Sequence, residues 1–259
     1  MNAAELRAAM DAFRGRALPA IQALQDEQGR AAILLLHAKD LVPLLETAIA
    51  RTEEPGFDAD PPTLAHLSDL FAQARGIVQL MLRHERLYLD AARDHAHAMA
   101  QLEGEAAALV QRARAVVPDP RALAAERREV FSTLREIEML ARLNPGDPNM
   151  RRAREHWEGK DAALRPREAV QELAAAFEPL AADIAALTRL AQLQRGTWLN
   201  IGQDLAIAAA PMGDGGAQAR HKWTHSRVDA RIQLASIRRM AERAAAYIAA
   251  AEPHGFTTA

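Results

Sequence analysis

From Thr63 to Val117 the chain contains no proline, and its apolar residues recur at helical spacing. Leu67, Phe71, Ala74, Val78, Met81, Glu85, Tyr88, Ala92, His95, Met99, Leu102, Ala106 and Leu109 alternate in steps of four and three, the heptad signature of a helix seamed against partners. At about 1.5 Å per residue, one helix over this stretch is roughly 80 Å long, far beyond the average helix of a globular domain. A seam of that length needs other long helices beside it. The expected fold is therefore all-α: an elongated bundle of four to five long, partly kinked, heptad-patterned helices. Residues 1–252 are expected to form that single bundle and 253–259 a frayed tail.

The flanking segments supply the partner helices. The N-terminal seam runs through Leu6, Met10, Phe13, Ala17, Ala20, Leu24, Gln28, Ala31, Leu35, Ala38, Val42, Leu45 and Ile49, and it keeps its phase across Pro19 and Pro43. That constancy predicts kinks within one helix, not breaks. The run from Glu53 to Pro62 reads as a loop. Pro118 ends the long helix, and Asp119 followed by Pro120 reads as an N-cap and first helical position. That helix carries Leu123, Arg127, Val130, Leu134 and Ile137, and the turn from Asn144 to Pro148 ends it. The charged stretch from Asn149 to Leu164 reads as a short solvated helix, and Pro166 as the opening of another long one, seamed from Val170 to Ala208. After Pro211 and the Gly-rich loop at 212–216, a last helix from about Ala217 to Glu252 seams through Trp223, Arg227, Ala230, Leu234, Ile237, Ala241, Ala244, Ile248 and Ala251.

Composition agrees with helix and narrows the chemistry. Hydrophobic residues make up 49% of the 259-residue chain but aromatic ones only 4%, so the apolar content is mostly Ala and Leu, good helix formers. With no cysteine, disulfides, thiolate nucleophiles, Cys-ligated zinc and iron–sulfur clusters are excluded. A formal net charge of −2 argues against a nucleic-acid footprint over the whole surface. The charged first turns lack a signal-peptide core, and no apolar run approaches the roughly 20 residues needed to span a bilayer. A soluble, cytoplasmic protein is expected.

Reactive side chains are densest between His84 and His97. Asp90, Asp94 and His97 share one helical face, a spacing that can chelate a metal, but no Glu-x-x-His or His-Glu-x-x-His occurs in the chain. The Asp90-to-Asp94 spacing also resembles the magnesium-binding motif of all-helical prenyl-diphosphate enzymes, for which Asp204 alone offers a second acid. A solvated face outweighs both readings, so no catalytic residue, metal or cofactor is assigned. Glu85 and His95 differ because both fall in the apolar seam, where a charge is costly unless paired. They are expected to be structural polar residues that fix register.

The strongest interaction signal lies in the last helix. Arg220, Lys222, Arg227, Arg231, Arg238, Arg239 and Arg243 are opposed only by Asp229 and Glu242, and Trp223 offers an aromatic anchor. Such a helix can dock an acidic partner or an anionic lipid surface, or its charges can neutralise acids elsewhere in the bundle. In outline, several long kinked helices in a chain of this length resemble the membrane-curving BAR-type dimers and, more loosely, the bodies of helical pore-forming toxins. The likeness is one of architecture, with no shared motif. A non-enzymatic interaction or scaffold protein, with a protein partner or a second copy of itself, is the favoured reading. Membrane association through the basic helix is the first alternative and a helical-bundle enzyme the second.

Overall fold

Five long helices account for nearly the whole of the computed structural model, which describes residues 2–209 and 219–254 but not the side chains at 27, 28, 58, 219–227, 229 and 254. They are α1 (Ala3–Glu53), α2 (Pro61–Val116), α3 (Pro120–Leu143), α4 (Pro148–Ala209) and α5 (Ala219–Ala251). There is no strand among the described residues, so the fold is an all-α helical bundle. The expected Gly-rich loop at 212–216 and the end of the tail at 255–259 lie outside the described residues.

Local chemistry accounts for most of the helix ends. The Asp119 side chain accepts from the backbone N–H groups of Arg121 and Ala122, with Pro120 in the first turn, the arrangement that satisfies otherwise orphaned donors. Between α3 and α4 the chain reverses at Gly146, whose φ of 103° favours glycine. Asp60 caps the start of α2 by accepting from the Thr63 N–H at 3.2 Å. α1 passes through Pro19 and Pro43 without interruption.

Two expectations need correction. The separate short helix at 149–164 does not exist: α4 is one helix of 62 residues with Pro166 and Pro179 inside it. The bundle can hold the chain helical through a missing N–H here because Leu164 and Val170 are both buried on either side of Pro166. The seams of α1 and α5 are also partly shifted. In α1 the buried positions after Ala31 are Leu34, Ala38, Leu41, Leu45 and Ala48, so every second seam residue moves back by one from Leu35, Val42 and Ile49. In α5 the buried set is Ala230, Gln233, Ile237, Met240, Ala244, Tyr247 and Ala251, and Leu234, Ala241 and Ile248 are only half-buried.

The chain divides into two compact units, Met1–Pro19 with Ala100–Ala186, and Ala20–Met99 with Leu187–Ala259. Unit 1 thus takes the start of α1, the end of α2, all of α3 and the first part of α4. Its core is apolar, with Phe13 set edge-on to Phe177 at 5.3 Å and Leu6, Leu109, Leu123, Val130 and Val170 buried around it. Its one buried charge among the described residues, Asp161, is clamped by Arg127 and Arg165, and Glu168 lies 3.1 Å from Arg127 Nε. Unit 2 takes the remainder of α1, α2 and α4 together with α5.

Candidate functional site

In unit 2 the polar groups lie inside. α2 and α4 run antiparallel there, with Glu85 against Gly202, Tyr88 edge-on to Trp198 at 5.0 Å, and Thr188 Oγ1 donating to the Met99 carbonyl at 3.1 Å. Glu85 is only 6% exposed. Its carboxyl rests on the backbone at Gly202, where a Cβ would meet Glu85 Cδ at 2.8 Å, so the close approach requires glycine. Burial pushes the Glu85 carboxyl above its usual range, opposed by Arg86, reinforced by Asp90 and opposed again by Arg93. No hydrogen-bond or ion-pair partner for it is present among the described residues.

His95 lies nearly three turns beyond Glu85 along α2 and is half-buried. Burial lowers its basicity first, Arg30 lowers it further, and Asp94 and Asp26 oppose them. Its Nδ1 has no hydrogen-bond partner among the described residues. Around Tyr88 the bundle adds two α1 residues to the His84-to-His97 cluster that the sequence does not bring there: the His84 ring stands 5.7 Å from Tyr88, His37 of α1 is 6.2 Å from His84, and the Arg30 guanidinium lies 5.3 Å over the Tyr88 ring.

The basic residues of α5 fall into two groups. The Arg220, Lys222 and Arg227 side chains lie outside the described residues, as does that of Trp223. Arg231 pairs with Glu53 and Arg238 with Glu46, both on α1. Arg239 donates to Asp204 Oδ1 at 3.2 Å and to Ser236 Oγ at 2.8 Å, while Arg243 Nε lies 3.0 Å from Asp204 Oδ2 in an ion pair without hydrogen-bond alignment. Asp204 is 4% exposed, so two arginines answer one buried carboxylate. These arginines thus have acids within unit 2 as partners. Asp90, Asp94 and His97 are exposed, and Asp90 pairs with Arg93. Among the described residues no three His or carboxylate side chains converge as a metal site would need, and no helix is long and apolar enough to cross a membrane.

In unit 1 the feature absent from the sequence reading is the solvent face of α3. Its core face carries Leu123, Val130 and Ile137. The opposite face exposes Phe131, Met139 and Leu143, the last by 74%. Arg128, Arg135 and Arg142 run between them at steps of seven, with Arg135 stacked 5.3 Å from the Phe131 ring centre. No family model matches the chain, and neither the curated proteins nor the solved structures give a match.

Proposed function

We propose that this chain is a non-enzymatic interaction protein that docks a protein partner on the solvent face of α3. What supports the reading is the combination on that face of three exposed apolar side chains with Arg128, Arg135 and Arg142, of which Arg142 also pairs with Glu138 on the same helix. Exposed apolar residues in a row are costly unless something covers them, and an intervening line of Arg selects for acidic chemistry on whatever does. The best complement is an acidic amphipathic helix, apolar on one side and carboxylate-rich beside it. The membrane reading of the basic helix α5 has less support, because Arg231, Arg238, Arg239 and Arg243 already face carboxylates of unit 2.

The test is fluorescence anisotropy of the full chain with a labelled helical peptide built from Leu and Glu. Saturable binding is expected, weakening as salt rises and dropping at least tenfold in a Phe131→Ser, Leu143→Ser double variant and in Arg135→Glu. Equal binding of a Leu and Lys peptide would overturn the proposal. So would binding to vesicles of anionic lipid with none to the acidic peptide, or a concentration-dependent dimer abolished by the same substitutions.

A further inference from the structure

The helix pairings of unit 2 gather several of its unsatisfied buried groups into one stretch of the interior, about two helical turns long. Tyr88 of α2 touches Trp198 of α4, and His84 of α2 faces His37 of α1. Arg238 of α5 pairs with Glu46 of α1, and Tyr247 lies as far beyond Arg238 on α5 as His37 lies before Glu46 on α1. Antiparallel pairing therefore places Tyr247 level with His37 and His84, one turn along α2 from the Tyr88–Trp198 pair. Gln194 precedes Trp198 by one turn of α4 on the same face, so Trp198 stands between Tyr247 and Gln194 along the bundle.

These side chains are almost wholly enclosed: Gln194 is 0% exposed, Trp198 1% and Tyr247 2%. Yet Trp198 Nε1, Tyr247 Oη, His84 Nδ1 and both amide atoms of Gln194 have no hydrogen-bond partner among the described residues. Buried polar atoms are nearly always satisfied, and each one left bare costs free energy. Here they occur together, contributed by three helices, while the buried charge of unit 1 has its arginines.

The set also has a definite chemical character. The indole N–H and the Gln194 amide N–H₂ donate, the Gln194 carbonyl accepts, and the tyrosine hydroxyl does either. Gln194, Trp198 and Tyr247 are uncharged, and Glu85, beside His84, is buried where the neutral carboxyl is favoured, so no fixed charge here calls for an ion. We propose that this stretch is a buried binding site for neutral molecules that both donate and accept hydrogen bonds, with water as the resident occupant unless a small uncharged organic molecule of the same hydrogen-bonding character displaces it. A buried water makes about three hydrogen bonds to groups of this kind, and the mix of donors and acceptors is what such a guest requires.

The test uses the full ¹⁵N-labelled chain, with the Trp198 indole signal assigned by its loss in Trp198→Phe. Cross-peaks between Trp198 Nε1–H and a long-lived water, in nuclear and rotating-frame Overhauser spectra, are expected. They should vanish in a Gln194→Leu, Tyr247→Phe variant with an unchanged helical circular dichroism spectrum. A carried organic molecule would show instead as excess mass in native mass spectrometry and as cross-peaks to its own protons, which supports the site equally. A Trp198 Nε1–H with neither kind of cross-peak in the folded protein would overturn the proposal. A dry interior here has a second signature: Gln194→Leu would then relieve an unpaired amide and raise the melting temperature by about 2 °C or more, whereas an occupied site predicts no rise.

Discussion

Unit 1 and unit 2 are built from the same kinds of helix, three of which, α1, α2 and α4, contribute to both, but their interiors are organised differently. Unit 1 buries Phe13, Phe177 and a set of aliphatic side chains, and its Asp161 is answered by two arginines. Unit 2 buries Thr52, Glu85, Thr188, Gln194, Asp204, Gln233 and Ser236; the two threonines, Asp204 and Ser236 have hydrogen-bond partners among the described residues, and Glu85, Gln194 and Gln233 do not. A paired charge in an apolar core can be explained by folding alone. Bare amide, indole and hydroxyl groups within about two turns of one another are harder to explain so, because apolar residues of similar size in their place can be nearly neutral for folding. The contrast separates a unit whose interior is complete from one whose interior needs a guest, and it places the two functional proposals on different surfaces: an exposed face in unit 1 and a buried stretch of the interior in unit 2.

The largest effect should come from the apolar side of the comparison. Phe177→Ala removes a fully buried ring that packs on Phe13 and is expected to cost about 3–5 kcal/mol, read from urea unfolding. A loss under about 1 kcal/mol would mean that unit 1 is not held by that core. Gly202→Ala sharpens the other side. The added methyl displaces the Glu85 carboxyl and is expected to cost about 1–3 kcal/mol, the range for overpacking, in the wild-type background and close to nothing when Glu85 is already Ala. The same cost in both backgrounds would show that Glu85 does not lie against Gly202. Smallest of all should be Arg231→Ala, which breaks an exposed pair with Glu53 and is expected to change stability by under about 1 kcal/mol.

How much of this could be read from residue order differs between the helices. The seam of α2 is close to what its heptads predict, with Leu67, Ala74, Val78, Met81, Glu85, Ala92 and Met99 all buried, because a proline-free amphipathic helix has one preferred apolar stripe. In α5 that stripe is ambiguous. Leu234 and Ile248 are more apolar than their neighbours Gln233 and Tyr247, so hydrophobic spacing selects them, yet the bundle buries Gln233 and Tyr247. Periodicity ranks residues by hydropathy within one helix, whereas burial is settled by what the neighbouring helices present. The continuation of α4 through Pro166 was hidden for the same reason, since the proline rule weighs a lost hydrogen bond but not the packing of Leu164 and Val170 on either side. The set of unpaired groups was out of reach because His84, Gln194, Trp198 and Tyr247 come from three helices, and their proximity follows from register, which no single segment encodes. The one visible signal was Gln194, a glutamine inside an otherwise apolar seam.

The central claim is that polar groups in the interior matter to unit 2 and not to unit 1, and pH tests it most directly. His95 is held below its ordinary value of 6.5 by burial and by Arg30, against Asp94 and Asp26, and Gln194 of α4 lies near its level. A group depressed in the fold contributes stability that is present above the unfolded value and lost as pH falls through the folded one. Glu85, flanked by Arg86, Asp90 and Arg93, is raised above 4.5; its contribution runs the other way, present below 4.5 and lost as pH rises through the folded value, so Glu85→Gln removes the opposing effect. In that variant, hydrogen–deuterium exchange should be compared at about pH 7.5 and about pH 5.5, a window in which ordinary carboxylates and arginines keep their charge, after correction for intrinsic exchange rates. Protection should fall on acidification in residues 20–99, 187–209 and 219–251 while residues 3–19 and 100–186 keep theirs, and His95→Gln should abolish the fall. An equal loss of protection in both units, or a fall that survives His95→Gln, would contradict it.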